Sequence, residues 1–170
     1  KEIASSLKAK GVSVILDDRN EYTPGWKFHQ WELKGIPIRI ELGPRDLKQS
    51  QVVMVRRDTG QKTPVNEADI LSTVNKLLEE IQDNMFAKAK AILQEKTSSV
   101  QSYEEFKKVL EEKGGFIKAA WCGSQDCEAK VKAETGATIR VRPFQVEEPS
   151  SNCVICAEKA KETAYFARSY

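Results

Sequence analysis

The chain has 170 residues, 40% of them hydrophobic and 31% charged, with a formal net charge of +2. That balance fits one domain or two small ones, and it argues against a surface built to coat an extended polyanion. No apolar run reaches the length of a membrane span, and the opening residues, KEIASSLKAKG, lack the apolar core of a signal peptide.

In chain order, Ile3 and Leu7 stand at helical spacing over 1–10 and Gly11 ends the run. This reads as the second half of an amphipathic helix, as expected of a piece cut from a longer protein. Residues 12–16, VSVIL, read as a strand closed by Asp17-Asp18-Arg19-Asn20. Thr23 is the expected N-cap of a helix over 24–34, because Pro24 suits the first helical position and Gly35 suits the stop. Residues 36–42 alternate in period two, with four aliphatics on one face and Arg39 and Glu41 pointing away from the core. Pro37 lacks a backbone donor and fits the start or edge of that strand. Strands over 51–57 and 61–65 flank Asp58-Thr59-Gly60 and predict a hairpin.

Asn66 is the expected cap of a long helix over 67–96, whose stripe runs through Ile70, Val74, Leu77, Leu78, Ile81, Met85 and Ile92. Thr97-Ser98-Ser99 breaks it. A capping box at Ser102 and Glu105 opens a short helix that stops at Gly114-Gly115. Then follow a strand over 116–121, a helix over 125–134, a strand over 137–144, a loop over 147–152, a tight turn over 153–156 and a final strand over 163–167. The pattern is α/β.

All four cysteines fall in the last third, as Cys122-x4-Cys127 and Cys153-x2-Cys156. Two short-spaced pairs complete a tetrahedral four-sulfur site, and soft ligands with no open position favour a structural Zn2+ over iron. The alternatives are a redox pair at Cys153 and Cys156, which makes an oxidoreductase the competing function, or plain buried thiols. A redox pair is expected to open a helix after a strand, whereas Cys153 follows a Pro/Ser loop. Catalytic signals are otherwise thin. The single histidine, His29, lies in a helix, and no phosphate-cradling glycine loop or nucleophile elbow is present.

Phe28 and Glu32 stand four apart on one helix face, and Arg39 follows in the next strand. An aromatic, a carboxylate and an arginine side by side suit a nucleobase. Spacing alone favours the plainer reading, with Trp26, Phe28 and Trp31 as core and the charges solvated.

The segments LDDR (16–19), YTPGWKF (22–28), WELKG (31–35) and GPRD (43–46), with the cysteine spacing and the terminal ARSY (167–170), resemble prolyl-tRNA synthetase. The similarity covers essentially the whole chain and favours the base-facing reading. It implies an anticodon-binding domain over 1–80 with a mixed β-sheet flanked by helices, whose first strand and part of its first helix precede Lys1. A connecting helix and linker over 81–100 and a small α+β zinc-binding domain over 101–170 follow. The resemblance also implies that Glu32, Arg39 and Lys62 read the two anticodon guanines of tRNA-Pro, with Phe28 stacking or lining the pocket. Arg19, Lys27 and Lys34 become candidate phosphate contacts.

By the same resemblance Cys122, Cys127, Cys153 and Cys156 hold the Zn2+, and Tyr170 packs back to support the active site. That active site belongs to a class II catalytic domain of the same polypeptide, which binds ATP, Mg2+, proline and the tRNA acceptor end. None of its motifs is in these residues, so the fragment itself is expected to be non-catalytic. The expected whole is a cytoplasmic homodimeric ligase of protein biosynthesis. A free-standing synthetase-like RNA-binding protein is the alternative.

Overall fold

The computed structural model describes residues 1–145 and 148–169 and divides into two units, Lys1–Lys88 and Ala89–Tyr170. In the first unit, helices α1 (Glu2–Ala9) and α2 (Pro24–Leu33) precede strand β1 (Ile38–Glu41), a short helix α3 (Pro44–Lys48) and the hairpin β2 (Gln51–Arg56) and β3 (Lys62–Asn66). The strands pair antiparallel in the order β1-β2-β3. Their pleat gives the sheet two different faces. One carries Ile38, Ile40, Val52, Met54 and Val65, which form a core with Leu7, Ile70 and Val74. The other carries Arg39, Glu41, Val53, Val55 and Lys62, in a register that sets Arg39 opposite Val55 and Val55 opposite Lys62.

Two expectations fail in this unit. Residues 12–16 form no strand and pair with none among the described residues, although Val12 and Val14 pack against the core. Side-chain alternation reports burial, and here two valines satisfy it without a backbone ladder. Asn66 makes no side-chain cap, because a single 3-10 turn, Glu67–Asp69, stands between β3 and helix α4 (Ile70–Glu95). Ile70, Val74 and Ile81 of the α4 stripe are buried, whereas Met85 and Ile92 are exposed.

The hairpin turn is tied to α4 by charge. Asp58, whose side chain is only 3% exposed, receives Arg56 at 2.9 Å, and Arg56 also reaches Glu80 at 2.8 Å. Asn84 donates to Asp58 as well. The Arg56 guanidinium holds the Asp58 carboxyl at about 2, below its ordinary 3.8. A folded-state value below the unfolded one stabilises the fold above the unfolded value and loses that stabilisation as pH falls through the folded one. Thermal unfolding of the first unit is therefore expected to turn acid-sensitive between about pH 4 and about pH 2. Asp58→Asn is expected to flatten that dependence. Asp17, pulled well below the carboxylate range by Arg19, contributes in the same direction.

In the second unit α4 ends, β4 (Thr97–Ser99) follows, and then α5 (Tyr103–Glu112), β5 (Phe116–Trp121), α6 (Gln125–Thr135), β6 (Ala137–Val141) and β7 (Glu162–Arg168). The sheet order is β4-β5-β7-β6, with β4 parallel to β5 and the other pairs antiparallel, so this sheet is mixed and the α/β class holds. The residues that were expected only to break the long helix thus form an edge strand. Three polar side chains give no alternation to find it by. Gly115 permits the junction: at φ +79° it lies where a Cβ would meet the Lys96 carbonyl oxygen at 2.3 Å. Phe106 and Phe166, both fully buried, meet edge to face at 5.4 Å in the middle of this core. Strand β6 is shorter than expected and β7 slightly longer. Residue 147 of the expected loop lies outside the described residues. Among those residues, no helix is long and apolar enough to cross a membrane.

Candidate functional site

Two sites emerge, one in each unit. In the first, α2 is fixed at its start by Thr23, which accepts from the Trp26 N–H at 3.4 Å. It lays Phe28 and Glu32 beside Arg39. Arg39 donates to Glu32 Oε1 at 2.7 Å and to Glu41 Oε1 at 2.9 Å, and its guanidinium carbon lies 4.0 Å from the Phe28 ring centroid. Lys62 Nζ stands 3.4 Å from Glu41 Oε2. Phe28, Glu32, Arg39 and Lys62 therefore fall into one cluster. Arg39 and Lys62 are joined through Glu41, which sequence reasoning treated only as an outward-facing strand residue.

The signal for Glu41 was present. Arg39 and Glu41 are two apart on one strand face, and the hairpin carries Lys62 across to the same face. Hydrogen bonding from Arg39 holds the Glu32 carboxyl below its ordinary value, so it is a carboxylate at neutral pH. His29 Nδ1 approaches the other Glu32 oxygen at 3.6 Å, and Arg57 Nε donates to the Glu32 carbonyl at 3.0 Å. His29, Glu32, Leu33 and Arg57 line an open depression here. Chemically, the cluster offers a carboxylate acceptor, two cationic donors and an aromatic face to something outside.

The candidate phosphate contacts behave differently. Arg19 forks onto Asp17 at 2.8 and 2.7 Å, and Lys27 approaches the same carboxylate at 3.6 Å. Lys34 sits 4.6 Å from the Trp31 ring centroid. Trp31 donates its indole N–H to Asp17 at 2.7 Å, so Asp17 organises this side of α2.

In the second unit, Cys122 follows β5 and Cys127 lies in the first turn of α6, whose N-cap Ser124 accepts from the Asp126 N–H. Cys153 and Cys156 lie in a tight turn closed by the Ala157 N–H to the Cys153 carbonyl at 2.9 Å. This turn is pinned to β5 by the Val154 N–H to the Ala120 carbonyl at 3.1 Å. All four sulfurs lie within 4.8 Å of one another, with Cys122 to Cys127 at 3.6 Å and Cys122 to Cys156 at 3.7 Å. Four sulfurs around one tetrahedral ion at a Zn–S distance of about 2.3 Å stand about 3.8 Å apart. The four free thiols thus fit a four-sulfur metal site. Burial works to raise the Cys153 thiol, but the backbone N–H groups of Cys156, Ile155 and Cys122 outweigh it and set it at about 7. Cys127 is pushed up, first by burial and then by its neighbouring thiols. Tyr170 lies outside the described residues.

Comparison with known proteins bears on both units. Residues 1–79 match the family model described as an anticodon binding domain, and residues 103–170 match the one described as prolyl-tRNA synthetase, C-terminal. The proline–tRNA ligase of Alkaliphilus oremlandii is 48% identical over 169 residues, covering 99% of this chain and 35% of the relative. Proline–tRNA ligase 2 of Clostridioides difficile is 46% identical over 169 residues, and the proline–tRNA ligase of Natranaerobius thermophilus 48% over 171, each with the same two coverages. The chain spans about a third of the length of the curated relatives it matches. With an anticodon-binding unit carrying the Glu32–Arg39 cluster, and a second unit carrying the cysteine cluster, matched in that order, the chain belongs to the prolyl-tRNA synthetase family.

Proposed function

We propose that this chain is the tRNA-reading part of a proline–tRNA ligase, and that Glu32, Arg39, Lys62 and Phe28 meet the two anticodon guanines of tRNA-Pro. The observation that supports this most is the Glu32–Arg39 pair beside Phe28, held on an accessible face. Guanine presents N1–H and N2–H2 donors on its Watson–Crick edge and O6 and N7 as acceptors. The Glu32 carboxylate complements the donors, while Arg39 and Lys62 complement the acceptors. Adenine turns an N1 acceptor toward the same carboxylate, leaving both groups unsatisfied. In the free chain Glu32 and Arg39 satisfy one another. An arriving guanine exchanges that bond for new ones on each side, so neither charge is left bare. Glu41 keeps Arg39 and Lys62 in place during the exchange.

The ligase reaction, with ATP, Mg2+ and proline, belongs to a catalytic domain of the same polypeptide, working as a cytoplasmic homodimer. The resemblance supports this, and the relatives named as proline–tRNA ligases support the ligase reaction. On that reading, residues 1–80 form the anticodon-binding domain, 81–100 the connection, and 101–170 the zinc-binding domain. Tyr170 reaches back toward the active site. Cys122, Cys127, Cys153 and Cys156 would hold a structural Zn2+, which supplies folding energy to a small domain.

The test is binding of this chain to a proline tRNA transcript and to transcripts with each anticodon guanine replaced, at one fixed salt concentration, since phosphate contacts dominate raw affinity. The expected loss is about 1–3 kcal/mol per replaced base. Equal binding to all transcripts would overturn the base-reading assignment.

A further inference from the structure

We propose that Tyr22 and Trp26 form a stacking platform for one further unpaired nucleobase of the same RNA, outside the two guanines met by Glu32 and Arg39. The inference rests on the anticodon-reading function above. The two rings lie 3.9 Å apart and 11° from parallel, and the residues are 39% and 43% exposed, among the largest apolar side chains left open to solvent. The Arg19 guanidinium carbon is 4.9 Å from the Tyr22 centroid and 5.4 Å from the Trp26 centroid. With the centroids 3.9 Å apart, those two distances project it between the rings, at the side of the stack. The guanidinium therefore caps neither outer face.

Arg19 is itself fixed, by Asp17 at two atoms and by Gln30 at 2.6 Å, while Trp31 and Lys27 hold Asp17. The platform is thus set before anything binds, and little rotamer freedom is lost when a third ring lands on it. Every base has a π-face, so such a surface adds affinity without choosing a sequence. Trp26 opens the helix that carries Glu32 six positions later, about 9 Å along its axis. The platform therefore suits a base near the read guanines but distinct from them. Nothing in the cluster asks for a donor or acceptor pattern. The Tyr22–Trp26 pair is accordingly an affinity element, and Arg19 a positioning residue.

The experiment measures binding of the chain, and of its Trp26→Leu, Trp26→Phe and Tyr22→Leu variants, to proline tRNA transcripts with one abasic position moved through the anticodon loop, at one fixed salt. One abasic position apart from the two guanines is expected to weaken the unaltered chain about ten-fold. It is expected to cost Trp26→Leu and Tyr22→Leu nothing further, because they already bind intact RNA about ten-fold more weakly. Trp26→Phe, which keeps a ring, is expected to recover most of the loss. Guanine discrimination is expected to persist in all three variants, and thermal unfolding would show which of them remain folded. If every abasic position costs the unaltered chain and the folded variants the same factor, the pair only clasps residues 19–22 against α2 and the proposal is wrong. If the unaltered chain does not discriminate the guanines, the anticodon reading itself fails, which is a separate result.

Discussion

Metal removal from the purified chain is expected to unfold residues 89–170 and leave the first unit folded. Four sulfurs within 4.8 Å of one another, with no disulfide among them, are mutually tolerable as thiolates only around a cation. Structural zinc in small domains binds with an apparent free energy on the order of 10 kcal/mol, larger than the whole stability of many domains of this size. The expected observation is stoichiometric zinc in protein purified without added metal. Amide exchange protection in β5 and β7 should be lost on chelation or in Cys153→Ser, while protection in β2 persists. Unchanged protection in a strong chelator would sink the structural-metal assignment. A reversible Cys153–Cys156 disulfide in metal-free protein would restore the redox alternative.

Arg39→Ala is expected to do more damage to recognition than any other single change in the first unit. One guanidinium satisfies Glu32 and Glu41 and covers the Phe28 ring, so its removal takes a cation from both carboxylates beside an RNA and leaves Glu41 with Lys62 alone. The expected result is weaker binding of every transcript, together with loss of the roughly 1–3 kcal/mol discrimination at a guanine position. Glu32→Ala should remove discrimination with a smaller effect on overall affinity, because it takes away a negative charge. Glu41→Gln should fall between them, keeping the shape of the tether but not its charge. Titration of the three variants against the native and guanine-replaced transcripts separates these outcomes. Full discrimination in Arg39→Ala would show that this arginine does not read bases.

Much of this was legible in the residues. Thr23-Pro24 and Gly35 delimited α2 because capping is local chemistry, and the two cysteine pairs announced their convergence by spacing alone. Phe28 and Glu32 could be placed together by helical period, and Arg39 by alternation along β1. What escaped were features that depend on tertiary partners. β4 exists because β5 offers it a parallel edge, and residues 12–16 stay unpaired because no described strand takes them. The role of Glu41 requires knowing that β3 brings Lys62 across the sheet, which no single strand reveals. Arg19 and Lys27 read as candidate phosphate contacts because their shared partner Asp17 reaches them only through the fold.

The order β4-β5-β7-β6 has a consequence for how the second unit comes into being. One of its two inner strands, β7, is also the last of its described strands in the chain, and it pairs with β5 on one side and β6 on the other. During synthesis the first unit precedes the second, and its described strands are complete by Asn66. The second sheet has no such option. Until β7 has been made, β5 and β6 have nothing between them and Phe106 lacks its aromatic neighbour Phe166. The described sheets are thus staged in time during synthesis: the strands of the first can pair early, and the second waits for β7.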